Sequence, residues 1–312
     1  MTKLLITGAA GGVGQAFLRQ LAGTELEVVA TDIREPSGLP ANARFRTLDV
    51  TTDRVSALIE DERPDVIVHL ASIVTPSVGS TRDIEYLVDV VGTQSVIDAA
   101  IKAGVKRLVV TSSGAAYGYH ADNPVPLHED DHIRGNKEFA YSYHKRLVEA
   151  ALARARAEAP QLEQVVLRVG TVLGTGMNNQ ITALFLKPRL LGVAGSDSAF
   201  VFIWTEDLAR ILFLATTEAP EGIYNVAGDG ALSMQRLGQM LNKPVLKLPS
   251  WLLKFVLGVA KPLRLSRYGP EQVRFLQYRP VLANERLKSV FGYTPEKTSA
   301  EVFEHWRASV GL

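Results

Sequence analysis

Lys3-Leu4-Leu5-Ile6-Thr7-Gly8-Ala9-Ala10-Gly11-Gly12-Val13-Gly14 decides the fold of this chain. An apolar strand runs into a glycine-punctuated turn, and the helical pattern Ala16-Phe17-Leu18-Arg19-Gln20-Leu21 comes at once after it. Gly8 is placed for the tight turn, Gly11 or Gly12 lets backbone approach a pyrophosphate, and Gly14 lets the helix lie against the strand. The helix N-terminus, through Gly12 and Val13, then aims free N–H groups and its positive dipole end at that anion. The Gly-x-x-Gly-x-x-Gly spacing differs from the commoner Gly-x-Gly-x-x-Gly, and glycines alone also serve ordinary turns. Residues further along the chain supply the specificity.

The second apolar strand ends at Asp32, 18 residues beyond Gly14. A carboxylate at this strand end of a dinucleotide fold accepts hydrogen bonds from the adenosine ribose and repels a 2′-phosphate. NAD is therefore the expected cofactor. Arg34, two residues on, offsets part of that repulsion, which leaves NADP open. Strand patterns at residues 4–7, 28–32, 44–48, 66–70, 107–111 and 165–169 are separated by helical patterns at 14–21, 55–61, 83–103 and 141–158. Unbroken apolar strands between helices predict a parallel sheet covered on both faces. The expected fold class is α/β, a doubly wound, Rossmann-like parallel sheet.

After Gly170 the alternation stops. Gly174-Thr175-Gly176, Lys187-Pro188 and Gly195-Ser196 punctuate an irregular stretch. A strand pattern at 199–203, a helix at 206–216 and a strand at 222–226 come next, the last expected to rejoin the main sheet. From Ser233 a helical pattern is broken by Pro244, Pro249, Pro262, Pro270, Pro280 and Pro295. Residues 1–174 are expected to form a cofactor-binding domain, with 203–228 returning to it. Residues 175–202 and 229–312 are expected to form a smaller, mostly helical substrate-binding region. The apolar run Trp251-Leu252-Leu253-Lys254-Phe255-Val256-Leu257-Gly258-Val259-Ala260 is too short to span a membrane and carries a lysine. It reads as a buried or substrate-facing helix, in preference to an interfacial one.

Composition narrows the class. Of 312 residues, 46% are hydrophobic and 21% charged, with a net charge of +1. Such a balance points to no nucleic acid and no membrane partner. The absence of cysteine excludes disulfides, thiolate chemistry and cysteine zinc sites, and no metal is expected. No leader pattern precedes the first strand, so a cytoplasmic location is expected.

Tyr141-Ser142-Tyr143-His144-Lys145 sets Tyr141 and Lys145 one helical turn apart on the same face. A phenol ordinarily titrates near 10, too high for a base at neutral pH. An ammonium one turn away favours the phenolate and can also hydrogen-bond a nicotinamide ribose. Ser113, at the end of the strand running into Thr111-Ser112-Ser113-Gly114, sits where strand ends gather at a site mouth. Ser113, Tyr141 and Lys145 are the candidate catalytic group. Tyr143 is two residues from Lys145 and faces another side.

On these residues the chain resembles the NAD-dependent epimerase/dehydratase branch of the extended short-chain dehydrogenase/reductase superfamily. Residues 7–14 are similar to its Thr-Gly-x-x-Gly-x-x-Gly. Asp49-Val50 resembles its adenine-contacting pair, although Asp49 also suits a helix cap before Thr51-Thr52. His69-Leu70-Ala71-Ser72 is similar to the segment that lies against the cofactor, which implies cofactor contacts for Leu70, Ala71, Ser72 and, on the next strand, Thr111. His69 itself is expected to pack at the strand end. Ser112-Ser113-Gly114-Ala115-Ala116-Tyr117-Gly118 resembles the stretch carrying the catalytic serine.

Departures accompany the resemblance. Thr171 stands where nucleotide-sugar enzymes of this family carry Asn, Phe200 where they carry a diphosphate-binding Arg, and Asp89 where Asn is usual. Phe cannot replace a bidentate Arg–phosphate contact. Arg189 and Arg279 are the alternative sources of that contact. Ser72, Ser113, Tyr141, Thr171 and Phe200 are the expected substrate-side residues, with the last two on a pocket wall. The resemblance implies hydride transfer at a sugar or other hydroxyl or keto carbon, ending in epimerisation or dehydration. Simple dehydrogenation of a non-nucleotide alcohol is the alternative, and a non-catalytic NAD sensor a third reading. The helical patterns at 83–103 and 141–158 are the family's usual dimer-forming pair, so a small-molecule substrate and a homodimer are expected.

Overall fold

The computed structural model describes residues 1–76, 79–175, 177, 179–263 and 269–312. Gly176 and residues 264–268, which fall in the irregular and helical patterns, lie outside the described residues. The first half alternates: β1 (Lys3–Thr7), α1 (Gly12–Gln20), β2 (Glu27–Asp32), β3 (Ala43–Thr47), α2 (Arg54–Glu62) and β4 (Val66–His69). Then come α3 (Arg82–Tyr86), a π turn at Leu87–Val91, α4 (Gly92–Ala103), β5 (Arg107–Ser113) and a 3₁₀ turn at Gly114–Tyr117. α5 (Ala140–Glu158) and β6 (Glu163–Val169) complete this half. The second half holds β7 (Thr171–Leu173), α6 (Gln180–Phe185), β8 (Leu190–Val193), β9 (Ala199–Phe200), β10 (Phe202–Trp204) and α7 (Thr205–Thr217). β11 (Gly222–Val226), β12 (Leu232–Ser233), α8 (Met234–Met240), β13 (Val245–Leu248) and α9 (Ser250–Ala260) come after them. The chain closes with α10 (Gln272–Gln277), α11 (Glu285–Ser289) and α12 (Ser299–Ser309).

Seven strands form one parallel sheet in the order β11-β6-β5-β4-β1-β2-β3. Strand periodicity explains its two covered faces. Leu4 and Ile6 point to one side with Phe17 of α1 and Leu208 of α7, while Leu5 points to the other with Val96 of α4 and Leu152 of α5. Order reverses between β1 and β4, so a crevice opens at their carboxyl ends. Both chain segments that leave these strands, the glycine turn and residues 70–73, meet there. α4 stops at Gly104, whose φ of 68° closes the helix in the left-handed region.

Three local expectations give way. The helix pattern at 83–103 is interrupted by the π turn, which brings Asp89 inward to 1% exposure. The strand pattern at 199–203 splits: β9 pairs antiparallel with β12, and β10 pairs parallel with β7. The apolar run at 251–260 is indeed helical, but it is not buried. Trp251 is 68% and Phe255 67% exposed, because only Leu253 and Leu257 meet the neighbouring elements. Residues after Ser233 also include β13, paired with β8. A separate aromatic cluster of Phe185, Phe200, Phe202, Phe303 and Trp306 packs this half. Among the described residues no helix is long and apolar enough to cross a membrane.

Candidate active site

The glycine turn is shaped by close approaches. Gly8 has φ of 73°, and a Cβ there would lie 2.6 Å from the backbone nitrogen of Ala71. A Cβ on Gly14 would lie 2.4 Å from the Gly8 carbonyl oxygen, so α1 can rest on the loop only with glycine there. Gly11 precedes α1 with no side-chain cap, and the helix carries no acidic residue in its first turn. Gly11 and Gly12 are exposed and Val13 half-buried, which leaves the first-turn N–H groups open to an anion. The half-buried Asp32 carboxylate is oriented by the Ala10 N–H at 3.0 Å and the Arg34 N–H at 3.2 Å. The glycine turn and the Asp32 carboxylate are therefore one bonded unit. These residues fit a dinucleotide.

Asp49 is exposed and accepts from the Thr51 N–H at 2.9 Å and its hydroxyl at 2.7 Å, a local turn and not a helix cap, since α2 begins after Asp53. Val50 is buried against Gly92, where a Cβ would come within 2.7 Å of its Cγ2. Leu70 and Ala71 leave β4 beside Thr7, the Leu70 N–H donating to the Thr7 carbonyl at 3.0 Å. His69 is buried with both ring nitrogens bonded, to Thr7 Oγ1 at 2.7 Å and Thr93 Oγ1 at 2.9 Å. Burial pushes its imidazole down to about 3, so it stays neutral and packs.

The candidate triad assembles where β5 meets α5. Ser142 Oγ donates to the Ala115 carbonyl at 2.7 Å and accepts the Asn136 N–H at 3.0 Å, which pins the start of α5 to the 3₁₀ turn after Ser113. Lys145 Nζ donates to the Thr111 carbonyl at 2.9 Å and lies 5.6 Å from the centre of the Tyr141 ring. Burial raises the Tyr141 phenol above its ordinary range, and the nearby Ser113 hydroxyl only partly counters it. Burial lowers the Lys145 ammonium, with Asp89 and Glu149 opposing.

Two buried networks lie beside the triad; the sequence singles out Ser72 and Asp89 one by one, and neither network. Asp89 accepts from Ser72 Oγ and the Ile73 N–H, both at 2.9 Å, and lies 3.0 Å from His144 Nδ1. Burial raises its carboxyl, but His144 and Lys145 outweigh that and hold it below the usual range. Glu149 binds the Arg168 guanidinium through both oxygens and accepts from Ser112 at 2.6 Å. Arg168 also donates to the Tyr117 hydroxyl at 2.8 Å. These bonds tie β5, α5 and β6 together under the triad. The signal available in the sequence was a charged residue inside the otherwise apolar run at 165–169.

On the far side of the crevice, Thr171 of β7 pairs with Phe202 of β10, and its N–H donates to the Val201 carbonyl. Phe200 does not form an open wall as expected. It is 2% exposed, and the Arg279 guanidinium lies over its ring at 3.9 Å. Arg279 is itself 8% exposed and donates through Nη1 to the Ser198 carbonyl at 3.0 Å, while Nε and Nη2 have no partner among the described residues. Burial pushes it down to about 9, and no carboxylate among the described residues opposes this. Tyr119 feels the charges of both Tyr141 and Arg279, and its ring meets Phe139 and Phe275 edge-on. Arg189 is exposed, so of the two arginines only Arg279 is drawn into this interior.

Comparison with known proteins matches residues 4–227 to the NAD dependent epimerase/dehydratase family. The chain is 23% identical over 326 residues to the uncharacterized protein y4nG of Sinorhizobium fredii, covering 98% of this chain and 80% of that protein. It is 23% identical to the uncharacterized protein Rv2047c of Mycobacterium tuberculosis, where it covers 99% of this chain but spans only 30% of the relative. An L-arabinose 1-dehydrogenase (NAD(P)(+)) of Haloferax volcanii is 31% identical over 182 residues, 55% of this chain and 68% of that protein. Among solved structures, MoeE5 in complex with UDP-glucuronic acid and NAD superposes with a TM-score of 0.76 at 22% identity, over 99% and 98% of the two chains. A UDP-glucose 4-epimerase from Thermotoga maritima, with UDP-glucose, gives 0.78 at 19%, with the same coverage. The matched span covers well over half of the 312 residues, with a dinucleotide cradle at its start and the parallel sheet beneath it: the chain is an NAD-dependent enzyme and belongs to the NAD-dependent epimerase/dehydratase family of extended short-chain dehydrogenases/reductases.

Proposed function

We propose that this enzyme oxidises a hydroxyl-bearing carbon of a phosphate-bearing sugar substrate, with Tyr141 as general base, and re-reduces the keto product on its other face. NAD, when bound in the Gly8–Gly14 cradle, supplies the hydride acceptor. Ser113 holds the substrate oxygen, and Tyr141 takes the hydroxyl proton. Lys145, positioned by the Thr111 carbonyl, favours the phenolate and binds the nicotinamide ribose. Ser72, fixed by Asp89, stands on the opposite lip. Residues 175–202 and 229–312 carry the substrate side of the crevice, with Thr171 beside them.

The observation that carries the substrate class is Arg279. A buried guanidinium with two nitrogens unpartnered and no carboxylate partner among the described residues suits an anion, and its planar fork suits phosphate. Arg279 thereby supplies from α10's exit the charge that Phe200 lacks, with Phe200 as its platform. Incubation with NAD and UDP-glucose or UDP-glucuronic acid, followed by NMR of the products, tests this. Epimerised product without NADH accumulation is expected. The second reading, a simple dehydrogenase of a less polar alcohol, is favoured by the aromatic surface of Tyr119, Phe139 and Phe275. NADH absorbance growing with a free sugar or alcohol, and no turnover of nucleotide sugars, would establish that reading instead.

Asp32→Ser is expected to weaken NAD ~10–100-fold, the loss of charge-assisted ribose hydrogen bonds, while NADP affinity holds or rises with Arg34 beside it. Titration of both cofactors against the wild type reads this directly. Equal wild-type affinity for the two would remove Asp32 from cofactor selection. We also propose a cytoplasmic homodimer joined through α3, α4 and α5. Ile84, Leu87 and Val91 leave an exposed apolar stripe, with exposures of 46%, 46% and 37%. Leu87→Glu should yield a monomer in light scattering.

A further inference from the structure

Among the described residues the richest exposed apolar surface lies on α9 and its flanks, outside the candidate active site. Six of the eighteen large apolar side chains exposed among them, Leu246, Trp251, Phe255, Val256, Val259 and Leu263, fall within residues 246–263. α9 buries one stripe only: Leu253, with Leu257 beside it, packs against Val193 and Val273. Trp251, Phe255 and Val259 recur every fourth residue along the opposite flank. Single exposed apolar residues are ordinary, but a contiguous set marks an interaction surface.

The charges carried by this stretch are of one sign. From Gly230 to Leu263 the sequence carries five Lys or Arg residues and no Asp or Glu, in a chain balanced at 34 to 33. Lys247 and Lys254 are exposed and make no ion pair among the described residues. Lys261 is already paired with Glu271 at 2.9 Å, so it contributes less. We propose that α9 and the adjoining β13 form a peripheral docking surface for an anionic phospholipid bilayer. Trp and Phe enter the headgroup boundary, Val256 and Val259 enter below them, and Lys247 and Lys254 meet the lipid phosphates. The helix, at 11 residues, lies in the interface and does not cross it.

Other occupants fit less well. A nucleic acid would satisfy the lysines and leave the valines in water. A second copy meeting this face by two-fold symmetry would set the same unpaired lysines against each other. A cleft of about 290 Å³, lined by Tyr119, Lys254, Arg274 and Tyr278 among others, opens at the edge of the surface. A docked molecule would present that cleft to the headgroups. Docking of this kind is independent of the reaction catalysed in the crevice.

Cosedimentation of the full chain with phosphatidylcholine vesicles, with and without about 30% phosphatidylserine, tests it. Binding is expected with the anionic vesicles only, and should be lost at about 0.5 M salt. Replacing Lys247 and Lys254 together with Gln should weaken it ~25-fold, from about fivefold per charge. Trp251→Ser with Phe255→Ser should abolish it while NAD binding, measured in parallel, shows the fold intact. Failure of the wild type to pellet with anionic vesicles overturns the proposal. So does a dimer in light scattering that the Trp251/Phe255 double variant converts to monomer.

Discussion

Tyr141→Phe is expected to lower kcat by ~10²–10⁴-fold while NAD affinity stays near that of the wild type. The substitution removes one hydroxyl from a ring whose packing is kept. Ser113 is near enough to that hydroxyl to favour its phenolate, and Lys145 lies 5.6 Å from the ring centre. Burial raises the phenol above its ordinary range in the free protein, so little phenolate exists near neutral pH. That direction fixes the sign of the pH dependence. In the oxidising direction the wild-type rate should climb as pH rises and more phenolate forms, and the climb should vanish in Tyr141→Phe. Steady-state rates between about pH 6 and 10 check both statements. A variant retaining near-normal kcat would take Tyr141 out of the mechanism.

Arg279→Met should separate binding from stability. Truncating the buried cation removes the anion receptor, and affinity for a phosphate-bearing substrate should fall ~10²-fold or more, on the scale of a lost charged contact. The folded chain should gain stability. Two guanidinium nitrogens lack partners among the described residues, and burial holds the group's pKa down to about 9. A base with a depressed folded pKa costs the native state stability below that pKa, and the cost is relieved as pH rises from about 9 towards the ordinary arginine value. Met keeps an apolar stem over Phe200 without that cost. A melting temperature raised at neutral pH, together with lost binding of UDP to an otherwise NAD-competent protein, is the expected pair of results. A lower melting temperature with unchanged UDP binding would make Arg279 a structural residue.

The cradle was legible because its geometry is local. Gly8, Gly14 and the helix after them lie within a dozen residues, and Asp32 is one strand away, so spacing along the chain translates directly into placement. The same holds for Tyr141 and Lys145, which a single helical turn aligns. Ser113 needed only the rule that parallel strands end at one rim. Helix edges moved by one or two residues, since α1 begins at Gly12 and not Gly14, a shift that matters because it leaves the open N–H groups on the glycine loop.

Long-range matters stayed hidden. Asp89 reads only as a departure from the family's usual Asn; its burial against Ser72 and His144 is seen once the π turn is in place. Phe200 reads as an open apolar wall until Arg279, 79 positions later, covers it. The Trp251 helix reads as buried or substrate-facing, yet its second apolar face meets no neighbour among the described residues. The sequence by itself determined the parallel sheet, the dinucleotide cradle and the spacing of the tyrosine–lysine pair, because strand and helix periods act over a few residues. Only the tertiary structure decided which arginine enters the crevice, how the buried carboxylates are partnered and which apolar face remains outside, because each of these depends on contacts between segments that no local period relates.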